Sequence, residues 1–349
     1  MYIKKYLALS IYFIVFISIA ILILIRILIS SPSLEEYFFN SLKNKYSIIF
    51  FGDSVLRANH LKEDNKSSIP DIMKKNIAYS ILEIQGTAYN TVTYSYFAKT
   101  FNLYNHKTDI IIIPINLRSF SSSWLNVPEF QFEQECSFLS ILIFKPDIKC
   151  IINHIKNLKP ETVKQKHENF LDETITAKGF LEKTTRRFFK SVGCEIDGKD
   201  LKCEDKDHFE QVNDYLQHGI DIFTAMKIMK LNYHYGEIIS DNNKALLALE
   251  NMLLLLNKLD KKVLLYVTPH NFDAVSQYSG KQMTEIMKKN IKKISSKANS
   301  NNVTFLNLST LLPGINFEPD CACEHIDYEG KVKVVNAIIK KIKKINNYD

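Results

Sequence analysis

The chain has 349 residues, of which 46% are hydrophobic and 24% are charged, a balance that excludes wholesale disorder. The net charge is +7, but the lysines are scattered and form no arginine-rich stripe, so nucleic-acid binding is not indicated. The charge supports only a weak attraction to anionic surfaces such as lipid headgroups or acidic wall polymers.

An apolar run of 22 residues, from Leu7 to Leu28, dominates the N-terminus. At ~1.5 Å per residue, a helix of this length spans the hydrocarbon core of a bilayer. Lys4 and Lys5 precede the run and favour a cytoplasmic N-terminus with the remainder exported. A cleavable signal peptide is the alternative, but its apolar core is usually shorter. We therefore predict a single-pass anchor, a linker and one exported domain, over residues 1–30, 31–45 and 46–349.

Beyond the linker, short apolar runs alternate with helical patterns. Runs of this kind, ending at glycine or polar residues, are typical of buried parallel strands. Strands are predicted at residues 46–51, 81–86, 108–116, 262–269 and 302–308. Helices are predicted at residues 70–80, 91–104, 242–259, 282–298 and 329–345. This alternation indicates a three-layer α/β/α sandwich with a mostly parallel five-stranded sheet.

The region from about residue 118 to residue 240 breaks the alternation. It is rich in aromatic residues, contains a polar lysine-rich stretch and carries four of the six cysteines. We interpret it as an insertion or lid that is partly helical.

All six cysteines follow the predicted anchor, and an even number in an exported domain permits disulfides. Asp197-Gly198 is a hairpin-turn signal between Cys194 and Cys203, which makes these two the first disulfide candidates. Cys136 with Cys150 is a second candidate pair, whereas Cys321 with Cys323 would close a strained loop. Six unpaired thiols in a reducing compartment are the alternative.

Ligands of parallel α/β sheets bind beyond the carboxyl ends of the strands, so the residues that follow each strand are the functional candidates. They are Ser54 after the first strand, Gly86 after the second, Asn116 and Arg118 after the third, His270 after the fourth, and Glu324 and His325 in the loop after the fifth. Together they offer the hydroxyl, backbone donor, amide and imidazole that acyl transfer needs. Each also has a structural alternative, since glycine permits tight turns and asparagine caps helices.

These residues carry a resemblance to a known family. IIFFGDSVLRANH, residues 48–60, resembles the first sequence block of the SGNH (GDSL-type) hydrolases. Gly86 and Asn116 stand where the second and third blocks have glycine and asparagine, and EHIDYEGK, residues 324–331, is similar to the last block. The resemblance extends over the exported domain outside the insertion and is closest to the membrane-anchored, cell-envelope branch.

The resemblance implies a flavodoxin-like sandwich and a serine esterase or acyltransferase that needs no metal or cofactor. Ser54 would be the nucleophile and His325 its base. The backbone N–H groups of Ser54 and Gly86 and the amide of Asn116 would form the oxyanion hole. The implied substrates are ester-linked acyl groups, such as O-acetyl groups of envelope polysaccharide, and the implied partners are envelope-modification proteins.

One position departs from the family pattern. The family usually has an aspartate three residues before the histidine to orient the imidazole, and here that position is Ala322. Asp320, Glu324 or a backbone carbonyl would take this role, and the sequence leaves the choice open.

The sequence also offers candidates for substrate contact. Arg118 and His270 would contact an anionic or sugar substrate, and Trp124 would stack on a sugar ring, unless their roles are structural. Two other functions stay open. One is a non-catalytic glycan-binding or accessory protein, and the other is a metal-dependent phosphoesterase that uses Asp53, His60 and His270.

Overall fold

A computed structural model describes most of the predicted domain. The described residues are 45–57, 65–104, 108–126, 132–143, 145–157, 194–197, 200–203, 214, 217–219, 222–298, 300–318 and 324–345, with the single positions Tyr12, Phe16 and Leu34. The predicted anchor and linker therefore lie outside the described residues, apart from those three positions and Lys45. None of the helices within the described ranges combines the length and the apolar character that crossing a bilayer requires.

A parallel sheet of five strands forms the centre of the domain. The strands described are β1 (Ile48–Gly52), β2 (Ile81–Gln85), β3 (Ile110–Ile115), β4 (Cys194–Asp197), β5 (Asp200–Cys203), β6 (Lys262–Val267) and β7 (Val303–Asn307). The sheet has the order β2-β1-β3-β6-β7, and all its neighbouring strands are parallel. This is the strand order of flavodoxin-like doubly wound sheets. The predicted α/β class and parallel sheet are confirmed.

Helices cover both faces of this sheet, which explains why its central strands are almost entirely apolar. The α-helices described are α1 (Ile69–Asn76), α2 (Thr91–Tyr104), α3 (Ser122–Leu125), α4 (Glu133–Leu142), α5 (Ile148–Asn157), α6 (Ile222–Tyr235), α7 (Lys244–Lys258), α8 (Phe272–Ser296) and α9 (Tyr328–Ile345). Successive strand residues point to opposite faces. Ile49 and Phe51 of β1 belong to the apolar cluster that includes residues of α2, α4, α6, α7 and α8, whereas Ile48 and Phe50 belong to the cluster that includes residues of α1 and α9.

Helix α8 begins ten residues before the start that its sequence pattern predicts. Asn271 caps the helix, because its side chain accepts a hydrogen bond from the N–H of Ala274 at 3.0 Å. Gly280, with φ 74°, then interrupts the helical backbone. Glycine adopts this conformation without steric cost, and it breaks the apolar periodicity from which the start was predicted. The sequence pattern therefore indicated only the part beyond Gly280.

The region predicted as an insertion contributes to the core. Phe138 of α4, Ile151 of α5 and Leu231 of α6 are buried in the same apolar cluster as one face of the sheet. The described helices of this region are thus part of the main domain, while residues 158–193 lie outside the described ranges.

The structure describes two of the three candidate cysteine pairs. The second candidate pair is confirmed, because Cys136 and Cys150 form a disulfide that joins α4 to α5. The predicted hairpin is also confirmed, since β4 and β5 are antiparallel with Cys194 directly opposite Cys203. A bond between those two sulfurs stays a prediction, and Cys321 and Cys323 lie outside the described residues.

We expect the Cys136–Cys150 disulfide to stabilise the domain measurably. It closes a loop with a sequence separation of 14, for which restriction of the unfolded chain predicts about 3 kcal/mol. Replacing both cysteines with serine should lower the free energy of unfolding by about 2–3 kcal/mol in denaturant titrations. If a reductant lowers the free energy of unfolding of this variant further, the difference is the contribution of disulfides between the other cysteines. A variant as stable as the wild type would contradict the prediction.

Candidate active site

The loop after β1 presents Ser54 at the carboxyl edge of the sheet. Asp53 is buried and caps the single-turn helix Ser54–Leu56, because its Oδ1 accepts a hydrogen bond from the N–H of Val55 at 2.9 Å. This turn leaves Ser54 partly exposed beside a strand whose residues are buried. No hydrogen bond of the described residues uses the Ser54 N–H.

The loop after β3 repeats this arrangement. The Oδ1 of Asn116 accepts a hydrogen bond from the N–H of Arg118 at 3.3 Å and caps the turn Leu117–Phe120. The Nδ2 of Asn116 donates to Asp53 Oδ2 at 3.2 Å, so the two caps are joined. Strands β1 and β3 flank the point where the strand order reverses, which is the usual ligand site of such sheets.

Arg118 lies at the centre of the site. Its side chain is 9% exposed, and its guanidinium lies between two carboxylates. Nη2 is 3.6 Å from Asp53 Oδ2, and Nη1 is 3.2 Å from Glu324 Oε2. Nη2 also donates a hydrogen bond to Ser54 Oγ at 3.5 Å, and the Trp124 ring lies 4.8 Å from the guanidinium carbon. The guanidinium therefore faces protein groups, and its contact with an anionic substrate stays a prediction.

Glu324 is completely buried and is the second counter-ion of Arg118. It accepts a hydrogen bond from the Tyr235 hydroxyl, and its Oε1 is 3.8 Å from His270 Nδ1. Burial raises the pKa of Glu324, but the Arg118 guanidinium, His270 and the Tyr235 hydroxyl outweigh this effect and bring the pKa to about 2. Glu324 is therefore an anion at neutral pH.

His325 follows Glu324 in a segment that is held against residues 316–318. The N–H of Glu318 donates to the His325 carbonyl at 3.0 Å, and Phe317 pairs with Ile326 in an antiparallel bridge. Neighbouring side chains of an extended segment point to opposite sides. The carboxylate of Glu324 accordingly contacts Arg118, Tyr235 and His270, while Asp320 lies outside the described residues. The identity of the group that orients His325 stays open.

Burial also determines the charge of the histidines. It lowers the pKa of His325 to about 4, and the nearby Arg118 guanidinium adds to this effect. The pKa of His270 is about 4, also chiefly because of burial. Both rings are therefore neutral at pH 7, which is the form in which an imidazole accepts a proton.

The structure brings the predicted residues to one edge but does not complete every predicted contact. Within the described ranges, no hydrogen bond links Ser54 to His325. The N–H of Gly86 donates to the Gly52 carbonyl at 3.3 Å, and the amide of Asn116 donates to Asp53. Their roles in an oxyanion hole stay predictions. Gly86 also has a structural reason, because a Cβ there would collide with the Tyr89 ring.

Sequence reasoning missed the contribution of α6. Tyr235 donates to Glu324, and its ring lies 5.8 Å from that of His270. His234, one residue earlier, meets the Trp124 ring edge-on at 5.2 Å. Lys230 contributes positive charge to the surroundings of His325. The spacing of its apolar residues indicates a helix, but no nearby sequence feature identifies the distant residues that α6 contacts.

The arrangement does not favour the metal-dependent alternative. Asp53 already has Arg118 as its counter-ion, so a cation there would compete with the guanidinium. His60 lies outside the described residues. The cluster with metal-ligand spacing that the described residues do contain is Cys136, Asp147 and Cys150, and two of these are joined by the disulfide.

A scan against protein-family models and a search of curated proteins both find no match for this chain. The fold alone does not determine a function, because doubly wound sheets support many unrelated activities. The groups at this sheet edge therefore carry the evidence for function.

We expect the stability of the domain to fall on mild acidification. The His270 pKa is about 4 in the fold against an ordinary value of 6.5, so unfolding takes up a proton between these pH values. The free energy of unfolding therefore falls by up to about 1.4 kcal/mol for each unit by which the pH decreases in this range. Denaturant titrations at pH 7, 6 and 5 should show the slope, and His270→Gln should reduce it.

The exposed His218 provides the matched control, because His218→Gln removes an imidazole that is not buried. The same slope in His270→Gln as in the wild type would contradict the assignment. Glu324 also makes the domain less stable as the pH falls, but at lower pH, because its pKa is lowered in the fold. Asp53 has the opposite effect on stability, because burial raises its pKa.

Proposed function

We propose that this chain is an exported, membrane-anchored serine esterase or acyltransferase of the SGNH hydrolase type, with Ser54 as its nucleophile. The observation that carries the proposal is the position of the Ser54 hydroxyl. It is partly exposed at the switch point of the sheet and receives a hydrogen bond from a buried guanidinium. A hydroxyl in such a place can meet a substrate while a fixed positive charge stabilises the developing anion.

His325 is the proposed base. A serine hydroxyl becomes an effective nucleophile only when a base accepts its proton. The neutral ring of His325 is half-buried, and the charges of Arg118 and Glu324 both affect its pKa. The Ser54–His325 hydrogen bond would form when the substrate is bound, since such bonds are often long or misaligned without it. The resulting acyl-serine would pass its acyl group to water or to a sugar hydroxyl.

The proposed substrates are ester-linked acyl groups, such as O-acetyl groups, on envelope polysaccharide. The apolar run from Leu7 to Leu28 supports attachment to a membrane with the domain exported. The Cys136–Cys150 disulfide supports an oxidising compartment, where such bonds persist. Proteins of envelope modification would be its partners.

A non-catalytic glycan-binding or accessory protein is the second candidate. It is favoured by the observation that the Gly86 N–H and the Asn116 amide donate hydrogen bonds to Gly52 and Asp53 within the protein. In that case the same sheet edge would hold a glycan without breaking an ester bond.

A fluorophosphonate probe distinguishes the two candidates. We expect the folded exported domain to be labelled at Ser54, because the probe reacts with activated serine hydroxyls. Ser54→Ala should abolish labelling, and His325→Gln should slow it by at least ~10²-fold as the base is lost. Labelling is located by mass spectrometry of the digested protein. Ser122→Ala, at the exposed first residue of α3, is the control and should be labelled like the wild type. A folded wild type without label would favour the accessory function.

The pH profile offers a separate test of His325 as the base. Because its pKa is about 4, kcat/KM for a neutral acetyl ester should stay level from pH 7 to about pH 5 and decline only toward pH 4. The released product is quantified after subtraction of the Ser54→Ala rate. A decline centred near pH 6.5, the ordinary histidine value, would contradict the assignment.

A further inference from the structure

We propose that Arg118 is a catalytic residue, whose guanidinium stabilises the negative charge that forms on Ser54 Oγ and on the carbonyl oxygen of the acyl group. This inference rests on the proposed function. Its starting point is the 3.5 Å hydrogen bond from Nη2 to the Ser54 hydroxyl, made by a side chain that is almost completely buried.

The expected oxyanion donors are largely engaged elsewhere, which leaves this role to other groups. The N–H of Gly86 serves the Gly52 carbonyl, and the amide of Asn116 serves Asp53. The Ser54 N–H remains available within the described part of the chain. Arg118 adds positive charge directly at the nucleophile, and a guanidinium donor is stronger than a neutral amide.

The guanidinium is held in place before any substrate arrives. Asp53 Oδ2 and Glu324 Oε2 flank it at 3.6 and 3.2 Å, and the Trp124 ring covers it at 4.8 Å. Glu324 is in turn fixed by the hydroxyl of Tyr235. Donors that are fixed in this way stabilise a transition state without reorganising, and they act more strongly in a site from which water is excluded.

The proposed acylation step takes place beside the Arg118 guanidinium. Ser54 Oγ bonds to the acyl carbon as its proton passes to the His325 imidazole, and the carbonyl π electrons move onto the carbonyl oxygen. In the tetrahedral intermediate this oxygen and Ser54 Oγ are bonded to the same carbon, so the Nη2 group that donates to Oγ would donate to it as well. When the carbonyl re-forms, the bond to the alcohol breaks, and the leaving oxygen takes the proton from the imidazolium.

The test compares Arg118→Lys with Arg57→Lys in the folded full-length protein. Arg57 is the matched control, since it follows the same turn as Ser54 but is exposed and pairs with Glu83. The fluorophosphonate gives kinact and KI, and p-nitrophenyl acetate gives kcat and KM for a neutral ester. Lysine keeps a charge near Asp53 and Glu324 but lacks the planar fork that reaches Ser54 at the same time.

We expect Arg118→Lys to lower kinact and kcat by about 10²–10³-fold, the usual effect of losing one oxyanion donor, with KI and KM little changed. Arg57→Lys should match the wild type. The paired variant Arg118→Met/Glu324→Gln removes a cation together with one of its two counter-ions, and it decides the matter if the lysine variant does not fold.

Two results would overturn the inference. One is a folded Arg118 variant that is labelled at the wild-type rate. The other is a variant in which only KI and KM rise, because Arg118 would then bind substrate without stabilising the transition state. Failure of the proposed function is a different result, since the wild type itself would then show no label at Ser54.

Discussion

A single guanidinium forms ion pairs with two carboxylates inside the protein, and the geometry of the site depends on this interaction. Asp53 comes from the end of β1, Arg118 from the end of β3 and Glu324 from the segment before α9, so their ion pairs join three separate parts of the chain. Removing one member of a buried ion pair typically costs about 3–5 kcal/mol, because the other charge stays buried without compensation. The same contacts that hold these elements together also fix the guanidinium beside Ser54.

Helix α6 makes the region between β3 and β6 part of the site rather than an addition to it. Tyr235 donates to Glu324 from this helix, and the backbone carbonyl of Tyr233 accepts a hydrogen bond from Ser121 in the loop after β3. The ring of Tyr235 also contacts that of His270. The last residue of α6 thus supplies a hydroxyl where the buried carboxylate needs one, in keeping with the rule that buried polar atoms are hydrogen-bonded.

The sequence predicts the sheet well because the evidence for a buried strand is local. β3 is buried over its whole length and lies within the predicted strand, and Ser54 and Asn116 lie at strand ends as expected. The pairing of Arg118 with Glu324 could not be predicted, because it depends on how a distant segment folds back. Glu324 is adjacent to His325 in sequence, yet its carboxylate pairs with Arg118 and lies near the His270 ring. Adjacency in sequence therefore did not predict which imidazole the carboxylate would approach.

The strand order also has a consequence for how the chain folds. β1 pairs with β2 and with β3, which both follow it closely in sequence, whereas β3 pairs with β6 across the whole intervening region. Pairing strands so far apart costs loop-closure entropy before it yields any contact, and it slows folding. Since Asp53 and Arg118 lie on one side of this closure and Glu324 on the other, we expect the site to be completed in the last step of folding. A nascent chain that stops before β6 would hold Ser54 but lack both Glu324 and His325.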